Sequence, residues 1–426
     1  MLTSGEKIYE FAEQLFPICR SITGEGVRET LSRIRTHLPN LKLHEVPSGT
    51  KCFDWIIPLE WNIRDAWIID PQGRKIVDFQ VSNLHVVGYS TPIDAEVDLA
   101  ELDRHLYSLP EQPNATPYVT SYYKERWGFC LPHEQRLALR PGRYRVRIDS
   151  DLKAGSLTYG ELILPGHSNK EVFLSTYICH PSLANNELSG PCVTTFLAQW
   201  LAGLKDRRYT YRIIFIPETI GSITYLSLHA EALKERVVAG FNINCVGDER
   251  VYSFLPSRAE TTFSDRVAQH VLHQLHPGYL KYDFLDRGGD ERQYCSPGID
   301  LPIVSIMRSK FGCYPEYHTS LDDLNLITPE GLFGAYLVHI KCLQCIESDF
   351  RPRITVYCEP QLGKRGLYPT LSGKESANAV KIIGDLIAYS DGRRSLLEIA
   401  DRIRQPMWEL VPIAEKLCAE GLMLRE

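Results

Sequence analysis

The stretch VFLSTYICHPSLANNELSG, residues 172–190, decides the fold. Residues 172–178 are β-branched and apolar, which predicts a buried strand that ends near His180. A polar loop, residues 182–187, and a helix follow. In open α/β sheets, ligands bind at the carboxyl ends of the strands, so His180 with Glu187 predicts half of a metal site. The alternative is a histidine that ends a strand and a solvated loop.

The composition is that of an ordinary globular protein. The 426 residues predict two or three domains, and the net charge of −6 argues against general nucleic-acid or membrane-surface binding. Since no apolar run reaches about 18–20 residues, no membrane span is expected. The amphipathic, acid-containing start indicates no secretory signal, so the twelve cysteines predict reduced thiols in a cytoplasmic protein. The lone CxxC of Cys342 and Cys345 does not predict a structural zinc.

Residues 4–38 predict helices, and from about Lys51 the pattern becomes that of short strands. Residues 47–135 contain short strands and turns and predict an inserted β-rich domain. Five aromatic residues within twelve positions indicate either a core or a floor on which a ligand stacks: Tyr118, Tyr122, Tyr123, Trp127 and Phe129. Residues 143–149 and 156–164 alternate with period two and predict a hairpin.

The middle of the chain alternates strands and helices. Apolar strands are predicted over residues 211–217, 237–247 and 302–306, each followed by a helix, which favours an α/β fold with a mostly parallel sheet flanked by helices. The final residues predict helix, helix, helix and strand, as in a winged helix. Residues 376–426 carry seven Lys and Arg against eight Asp and Glu, so protein contact or packing is favoured over DNA binding.

Polar side chains follow the predicted strands in order. The set is His180 with Glu187, then Glu218, Asp248 and His318. The carboxyl ends of parallel strands share one rim, so we expect these groups to converge. Two histidines and a carboxylate with one open position suit a catalytic zinc, and a further carboxylate would accept a proton from water.

These motifs resemble a known family. The segments ICHPSLANNELSGP, IPETIGSITYL, NCVGDER, GGDERQY and EYHTSLDDL are similar to bacterial aminopeptidase-like proteins of the DUF2172 and DUF4910 type, with a core like the M28 zinc aminopeptidases. The resemblance implies a catalytic domain over residues 1–46 and 136–352, the β-rich insertion over 47–135 and a winged helix over 353–426. It also implies a link to surface-polysaccharide biosynthesis.

The resemblance assigns roles to individual residues. His180 and His318 match histidine ligands, and Glu218 matches the general base. The metal-bridging aspartate of M28 enzymes falls on Asn186, a second-metal glutamate on Thr219, and the third-strand aspartate near Asn244. Because these ligands are changed, one zinc ion is expected in place of two.

The expected zinc would be held by His180, Glu187 and His318, or by Asp248 in place of Glu187. Substrate-binding positions are expected at the following residues: Asn186, Asp290, Glu291, Arg292 and Tyr317. Arg292 would pair either with a carboxylate or phosphate of the substrate or with an acid of the protein itself.

The predicted function is therefore a zinc-dependent hydrolase of an amide bond, in a peptide-like substrate or an amino sugar. One alternative is a degenerate, non-catalytic aminopeptidase-like scaffold that uses its winged helix for protein contacts. Another is a transcription regulator with a ligand-sensing core, against which the near-neutral C-terminal segment speaks. The expected partners are a small-molecule or peptide-like substrate, without membrane or nucleic acid, and self-association is left open.

Overall fold

The computed structural model of the chain describes residues 3–367 and 374–426. These residues form two compact units, one within residues 3–264 and 280–336 and the other within 265–279, 337–367 and 374–426. The helices, in chain order, are α1 Ser4–Leu15, α2 Glu25–His37, α3 Leu99–Asp103, α4 His133–Leu137, α5 Ser189–Gly203, α6 Ile220–Arg236, α7 Phe263–Leu275, α8 Glu291–Tyr294, α9 Pro329–Ser348, α10 Lys374–Tyr389, α11 Leu396–Ile403 and α12 Met407–Ala419. The strands are β1 Lys42–Pro47, β2 Lys51–Cys52, β3 Trp55–Ile56, β4 Glu60–Ile69, β5 Lys75–Asp78, β6 Ile93–Asp98, β7 Leu106–Tyr107, β8 Phe129–Cys130, β9 Arg143–Lys153, β10 Ser156–Leu164, β11 Glu171–Tyr177, β12 Thr210–Ile216, β13 Val237–Asn242, β14 Ser253–Leu255, β15 Leu280–Lys281, β16 Ile303–Met307, β17 Pro352–Ile354 and β18 Met423–Arg425.

An eight-stranded sheet forms the centre of the first unit, in the order β1-β10-β12-β11-β13-β16-β14-β15. Its four central strands, β12, β11, β13 and β16, run parallel to one another. Every residue of β11 is buried, as expected for a parallel strand covered on both faces. The prediction of an α/β fold with a mostly parallel sheet is confirmed.

A second sheet of the first unit has four strands in the order β5-β4-β9-β6. The predicted hairpin between residues 143–149 and 156–164 is wrong, because β9 pairs with β4 and β6 whereas β10 pairs with β1 and β12. The two segments are adjacent in sequence, and both alternate in polarity. They nevertheless join different sheets, because alternation identifies a half-buried strand without choosing its partner.

The carboxyl edge of the central sheet determines where the polar residues lie. Tyr177 at the end of β11 is paired with Ile216 at the end of β12, and the Ile178 N–H donates to the Ile216 carbonyl. His180 and Glu218 follow these two strands directly. The register of one strand pair therefore sets the histidine and the glutamate side by side.

The segment after His180 contains a helical turn where the sequence predicted a polar loop, and it is not the solvated loop of the alternative interpretation. Residues Ala184–Leu188 form one π-helical turn that leads directly into α5. Asn185, Asn186 and Glu187 are all buried in it. Single π-turns are frequent at functional sites, and this one points three polar side chains into the protein interior.

The second unit contains three consecutive helices, α10 to α12, and a two-stranded antiparallel sheet of β17 and β18. Leu396, Leu397, Leu410 and Leu417 lie in its core. In the described part of the chain, no helix is long and apolar enough to cross a membrane.

Candidate active site

A cleft of about 340 Å³ opens at the carboxyl edge of the central sheet. Its floor is formed by residues that follow β11, β12 and β16, namely Cys179, His180, Glu218, Thr219 and His318. Its walls are formed by Trp55, Tyr118, Thr120, Tyr122 and Tyr123, with Ile22 and Ile220. The structure thus brings together three of the predicted site residues: His180, Glu218 and His318.

His180 is held from behind by Glu187. Nδ1 of His180 lies 2.8 Å from Oε2 of Glu187, and both side chains are buried. Burial by itself would lower the pKa of His180, but Glu187 and Glu218 together raise it. Since a carboxylate only accepts hydrogen bonds, Nδ1 is the donor and Nε2 is directed to the other side. Glu187 therefore bonds to Nδ1, the nitrogen of His180 that faces away from the cleft. The sequence predicted that Glu187 would share a metal ion with His180, which would require it to lie on the Nε2 side.

Arg20 lies beneath this pair. Its Nε donates to the carbonyl of His180 at 2.9 Å and lies 3.8 Å from Oε1 of Glu187. The arginine is almost fully buried, so its charge compensates that of Glu187. No local pattern of the sequence connects Arg20 with His180, because the two residues are 160 positions apart in the chain.

Glu218 faces the opposite side of the histidine. Its Oε2 lies 3.7 Å from Nε2 of His180, and its Oε1 lies 3.7 Å from Arg292. Burial raises the pKa of Glu218, and the positive charges of His180 and Arg292 oppose that effect. A carboxylate with a raised pKa at the base of a cleft is suited to accept and return a proton.

His318 completes the floor of the cleft. Its ring centroid lies 5.4 Å from that of His180, and its Nε2 is buried without a hydrogen-bond partner. Burial, with a smaller contribution from His180, lowers the pKa of His318 to about 3. The imidazole is thus neutral at ordinary pH, which is the form that binds a metal ion.

The backbone is strained at this rim. His318, Thr219 and Cys245 are non-glycine residues with φ of 57°, 61° and 51°. Thr219 is held in this conformation because its N–H donates to Asp290 and its Oγ1 accepts from Arg292. Such conformations cost about 1–3 kcal/mol each and concentrate at functional sites.

Asp248 does not join these residues. Its Oδ2 accepts from the Asn185 side chain and the Ser309 N–H, and its Oδ1 accepts from the Ser309 hydroxyl and the Arg250 N–H. Four donors occupy the carboxylate, so it acts as a structural link between loops. This arrangement leaves no free oxygen for the metal-binding role expected from the sequence.

The loop that includes residues 288–292 is fixed mainly by Glu291. This side chain accepts from the N–H groups of Gly288 and Gly289 and from the amide of Asn242, so it anchors the loop and does not face the cleft. Asp290 is fully buried, and burial next to Glu218 raises its pKa to about 7.

The guanidinium of Arg292 forms its contacts with other groups of the protein. Its Nε donates to the Gly289 carbonyl and its Nη2 to Thr219, near Glu218. Of the two roles considered for this arginine, the ion pair with an acid of the protein is the one formed here.

The two remaining expected substrate residues support the site. Asn186 donates to the Tyr177 hydroxyl, and its Oδ1 is buried without a partner. Tyr317 stacks on His318, with ring centroids 3.9 Å apart and planes at 13°. Neither residue is in the lining of the cleft.

The aromatic cluster predicted over residues 118–129 contributes both to the cleft and to a hydrophobic core. Tyr118, Tyr122 and Tyr123 line the cleft, whereas Phe129 is buried in the core of the second sheet, with Trp127 packed against it. Tyr118 contacts both histidines, at centroid distances of 5.0 Å and 5.1 Å. In the sequence, the high density of aromatic residues between positions 118 and 129 was the only feature that predicted this wall of the cleft.

The donor atoms present suit the chemistry of one metal ion. His180 offers Nε2 on the cleft side, and His318 offers a buried nitrogen without a partner. Imidazole nitrogens of this kind suit zinc, and Glu218 lies beside His180 as a proton acceptor. Among the described residues, the one cluster of three potential ligand atoms within 4.8 Å of one another consists of Cys179, His180 and Glu218 and does not include His318. The Cys179 sulfur, however, accepts from the Glu218 N–H and lies next to Nδ1 of His180, so it supports the loops.

Family models match almost the whole chain. Residues 9–349 match the model described as domain of unknown function DUF4910, and residues 351–425 match a winged helix-turn-helix model. A Clostridium acetobutylicum protein, provisionally named as a polysaccharide biosynthesis protein with an aminopeptidase-like domain, is 44% identical over 93% of this chain and 91% of its own.

Solved structures agree with this similarity. A crystal structure from Clostridium acetobutylicum, provisionally described as a peptidase, has a TM-score of 0.93 at 41% identity and covers 99% of this chain and 96% of that chain. The zinc aminopeptidase BSAP from Bacillus subtilis has a TM-score of 0.58 at 11% identity, over 80% of this chain and 94% of its own. The second likeness shows a shared fold.

Proposed function

From the premise that this chain belongs to the DUF4910 family, we propose that it is a zinc-dependent hydrolase that cleaves an amide bond. The observation that carries the proposal is the arrangement around His180. Its Nδ1 is held by Glu187, its Nε2 faces Glu218, and the partnerless nitrogen of His318 is buried nearby. The aminopeptidase-like name of the Clostridium relative supports a peptidase-like reaction, and its mention of polysaccharide biosynthesis supports a role there.

His180 and His318 would hold one zinc ion. Zinc, when bound, supplies a Lewis acid that polarises an amide carbonyl and makes water more acidic. Glu218 accepts the proton of the attacking water and returns it to the leaving amine. Glu187 fixes the ring of His180, because the hydrogen bond at Nδ1 determines which nitrogen faces the cleft.

A second metal ion is not part of this proposal. The positions that the resemblance assigns to additional ligands hold Asn186 and Thr219. Asn186 donates to the Tyr177 hydroxyl through its amide nitrogen and offers only an uncharged Oδ1, and Thr219 has its N–H and its hydroxyl bonded to Asp290 and Arg292. Uncharged amide and hydroxyl oxygens are poor replacements for carboxylate ligands.

The test is metal analysis of protein purified without chelator, followed by hydrolysis of aminoacyl and N-acyl amino-sugar amides. We expect about one zinc per chain, lost in His180→Ala and in His318→Ala, with loss of hydrolysis in both. Zinc below stoichiometry that His180→Ala leaves unchanged would refute the proposal. Stoichiometric zinc without any amide hydrolysis would favour the non-catalytic binding protein.

A further inference from the structure

We propose that the cleft takes an N-acylated sugar and not a peptide with a free amino terminus. The inference rests on the proposed amide hydrolase function and names its substrate class. It is drawn from two features of the cleft. The first is an aromatic wall that reaches from the histidines to the surface. The second is that, among the described residues that line the cleft, Glu218 is the one carboxylate.

The aromatic wall begins at the histidines and ends in solvent. Tyr118 lies against His180 and His318, and its hydroxyl is 3.0 Å from that of Tyr122. Trp55 and Tyr123 meet edge to face at 5.8 Å and are 39% and 56% exposed. Large aromatic side chains that stay exposed inside a cleft offer flat apolar faces to a ligand ring.

The wall is anchored to the floor through the backbone. The Tyr118 N–H donates to the carbonyl of His318 at 2.8 Å, and Pro117 and Thr319 form a β-bridge. Trp55 lies on the two-stranded hairpin of β2 and β3, and the Tyr123 hydroxyl donates to the Ile56 carbonyl of that hairpin. The aromatic faces thus have a fixed place relative to the histidines, as a selective ring-binding site requires.

Among the described residues that line this cleft, none offers a free amino terminus an uncompensated carboxylate. Glu218 already faces His180 and Arg292, so its charge is compensated. Asp290 is fully buried, and its Oδ1 accepts from the Thr219 N–H and the Ser222 hydroxyl. Desolvating an ammonium group without a counter-charge is costly, whereas an acylated nitrogen carries no charge.

An N-acylated sugar matches both features. Its ring can stack on Trp55 and Tyr123, and its hydroxyls can bond to the hydroxyls of Thr120 and Tyr122. The acylated nitrogen then lies toward the histidines. In the reaction, the water oxygen bonds to the acyl carbon and the carbon–nitrogen bond breaks. The products are a carboxylic acid and the free amino sugar, whose nitrogen takes a proton through Glu218.

The test measures binding of three probes to the full chain loaded with zinc, by saturation-transfer NMR and calorimetry. The probes are the methyl glycoside of N-acetylglucosamine, leucinamide and N-acetyl-leucinamide. We expect the glycoside to bind best and leucinamide worst. Trp55→Leu and Tyr123→Leu should each weaken glycoside binding at least tenfold, whereas Tyr123→Phe, which keeps the ring and loses only the hydrogen bond to the Ile56 carbonyl, should bind more tightly than Tyr123→Leu. Both positions are partly exposed, and circular dichroism checks that the variants remain folded.

Two outcomes would overturn the inference. One is leucinamide binding as tightly as the glycoside, and the other is glycoside binding that neither leucine variant changes. These outcomes are distinguishable from failure of the proposed hydrolase. Glycoside binding that depends on Trp55 but is never followed by deacetylation retains the inference and refutes the hydrolase. Glu218-dependent cleavage of peptides with a free amino terminus, without glycoside binding, would retain the hydrolase and refute the inference.

Discussion

Nδ1 of His180 lies 2.8 Å from Oε2 of Glu187, at the bottom of a cleft that Nε2 of the same histidine faces. Glu187 is fully buried and its charge is met by Arg20 at 3.8 Å. The Glu187 carboxylate thus fixes the His180 ring from the side opposite the cleft, as carboxylates commonly do for metal-binding imidazoles.

Replacing Glu187 by Gln should weaken zinc binding by about 10- to 100-fold, the usual effect of losing a carboxylate behind a metal-binding histidine. It should also destabilise the fold by roughly 3–5 kcal/mol, because the buried Arg20 loses its counter-charge. Chelator competition measures the first effect and urea unfolding the second. An unchanged zinc affinity in a folded Glu187→Gln protein would contradict the orienting role.

Replacing Glu218 by Gln should reduce amide hydrolysis by about 10²- to 10⁴-fold, the usual contribution of a general base. Zinc content should stay at the wild-type level, since the two histidines hold the ion. Steady-state rates with zinc analysis of the same sample measure both. Glu231→Gln, at an exposed ion pair with Lys234, is the matched control and should change neither quantity. Loss of zinc in Glu218→Gln would make this residue a ligand.

Replacing Asp248 by Asn should destabilise the protein by about 1–3 kcal/mol without loss of zinc, because an amide nitrogen takes the place of an oxygen that accepts hydrogen bonds from buried donors. Urea unfolding gives the free energy, and metal analysis gives the zinc content. An Asp248→Asn protein that keeps its stability but loses its zinc would show that Asp248 is a metal ligand, as the sequence suggested.

Acidification should destabilise the fold through His85. Burial lowers the pKa of His85 below its usual 6.5, although the bond of its Nδ1 with the Cys130 carbonyl opposes this. Above pH 6.5, His85 is neutral in both states and has no effect. Below it, the unfolded chain takes up the proton first, so stability falls by at most about 1.4 kcal/mol per pH unit until the folded pKa is reached.

Urea unfolding at pH 7.5 and 5.5 measures this dependence. The wild type should lose more stability between the two values than His85→Gln, which cannot titrate. Equal losses in the two proteins would show that His85 is not kept neutral by the fold.

The C-terminal unit should not bind duplex DNA. The exposed residues of α12 include Glu409 and Glu415 against Lys416, and the exposed Glu420 follows directly at its end. A helix that reads DNA needs a basic face to meet the phosphates. A gel-shift experiment with the full chain at about 50 mM salt, where such contacts are strongest, should show no complex. A shifted band that salt removes would contradict this.

The segment 172–190 shows how far local pattern reached. Its apolar strand predicted β11, and the position of His180 after that strand predicted the cleft. Glu218 followed from the next strand in the same way. These predictions depend on neighbours in the chain and on the rule that parallel strands end at one edge, so the sequence was sufficient for them.

The sequence by itself determined the elements and their order: buried parallel strands, the helices between them and the polar residues at the strand ends. Only the tertiary structure decided what those polar residues contact. Whether Glu187 meets the cleft side or the far side of His180 depends on a π-turn and on Arg20, which lies 167 positions before Glu187 in the chain. Asp248 became a structural link because Asn185 and Ser309 reach it first. The hydrogen-bond partners of a buried side chain are set by long-range packing. The periodicity of a sequence does not predict which distant donor will lie next to it.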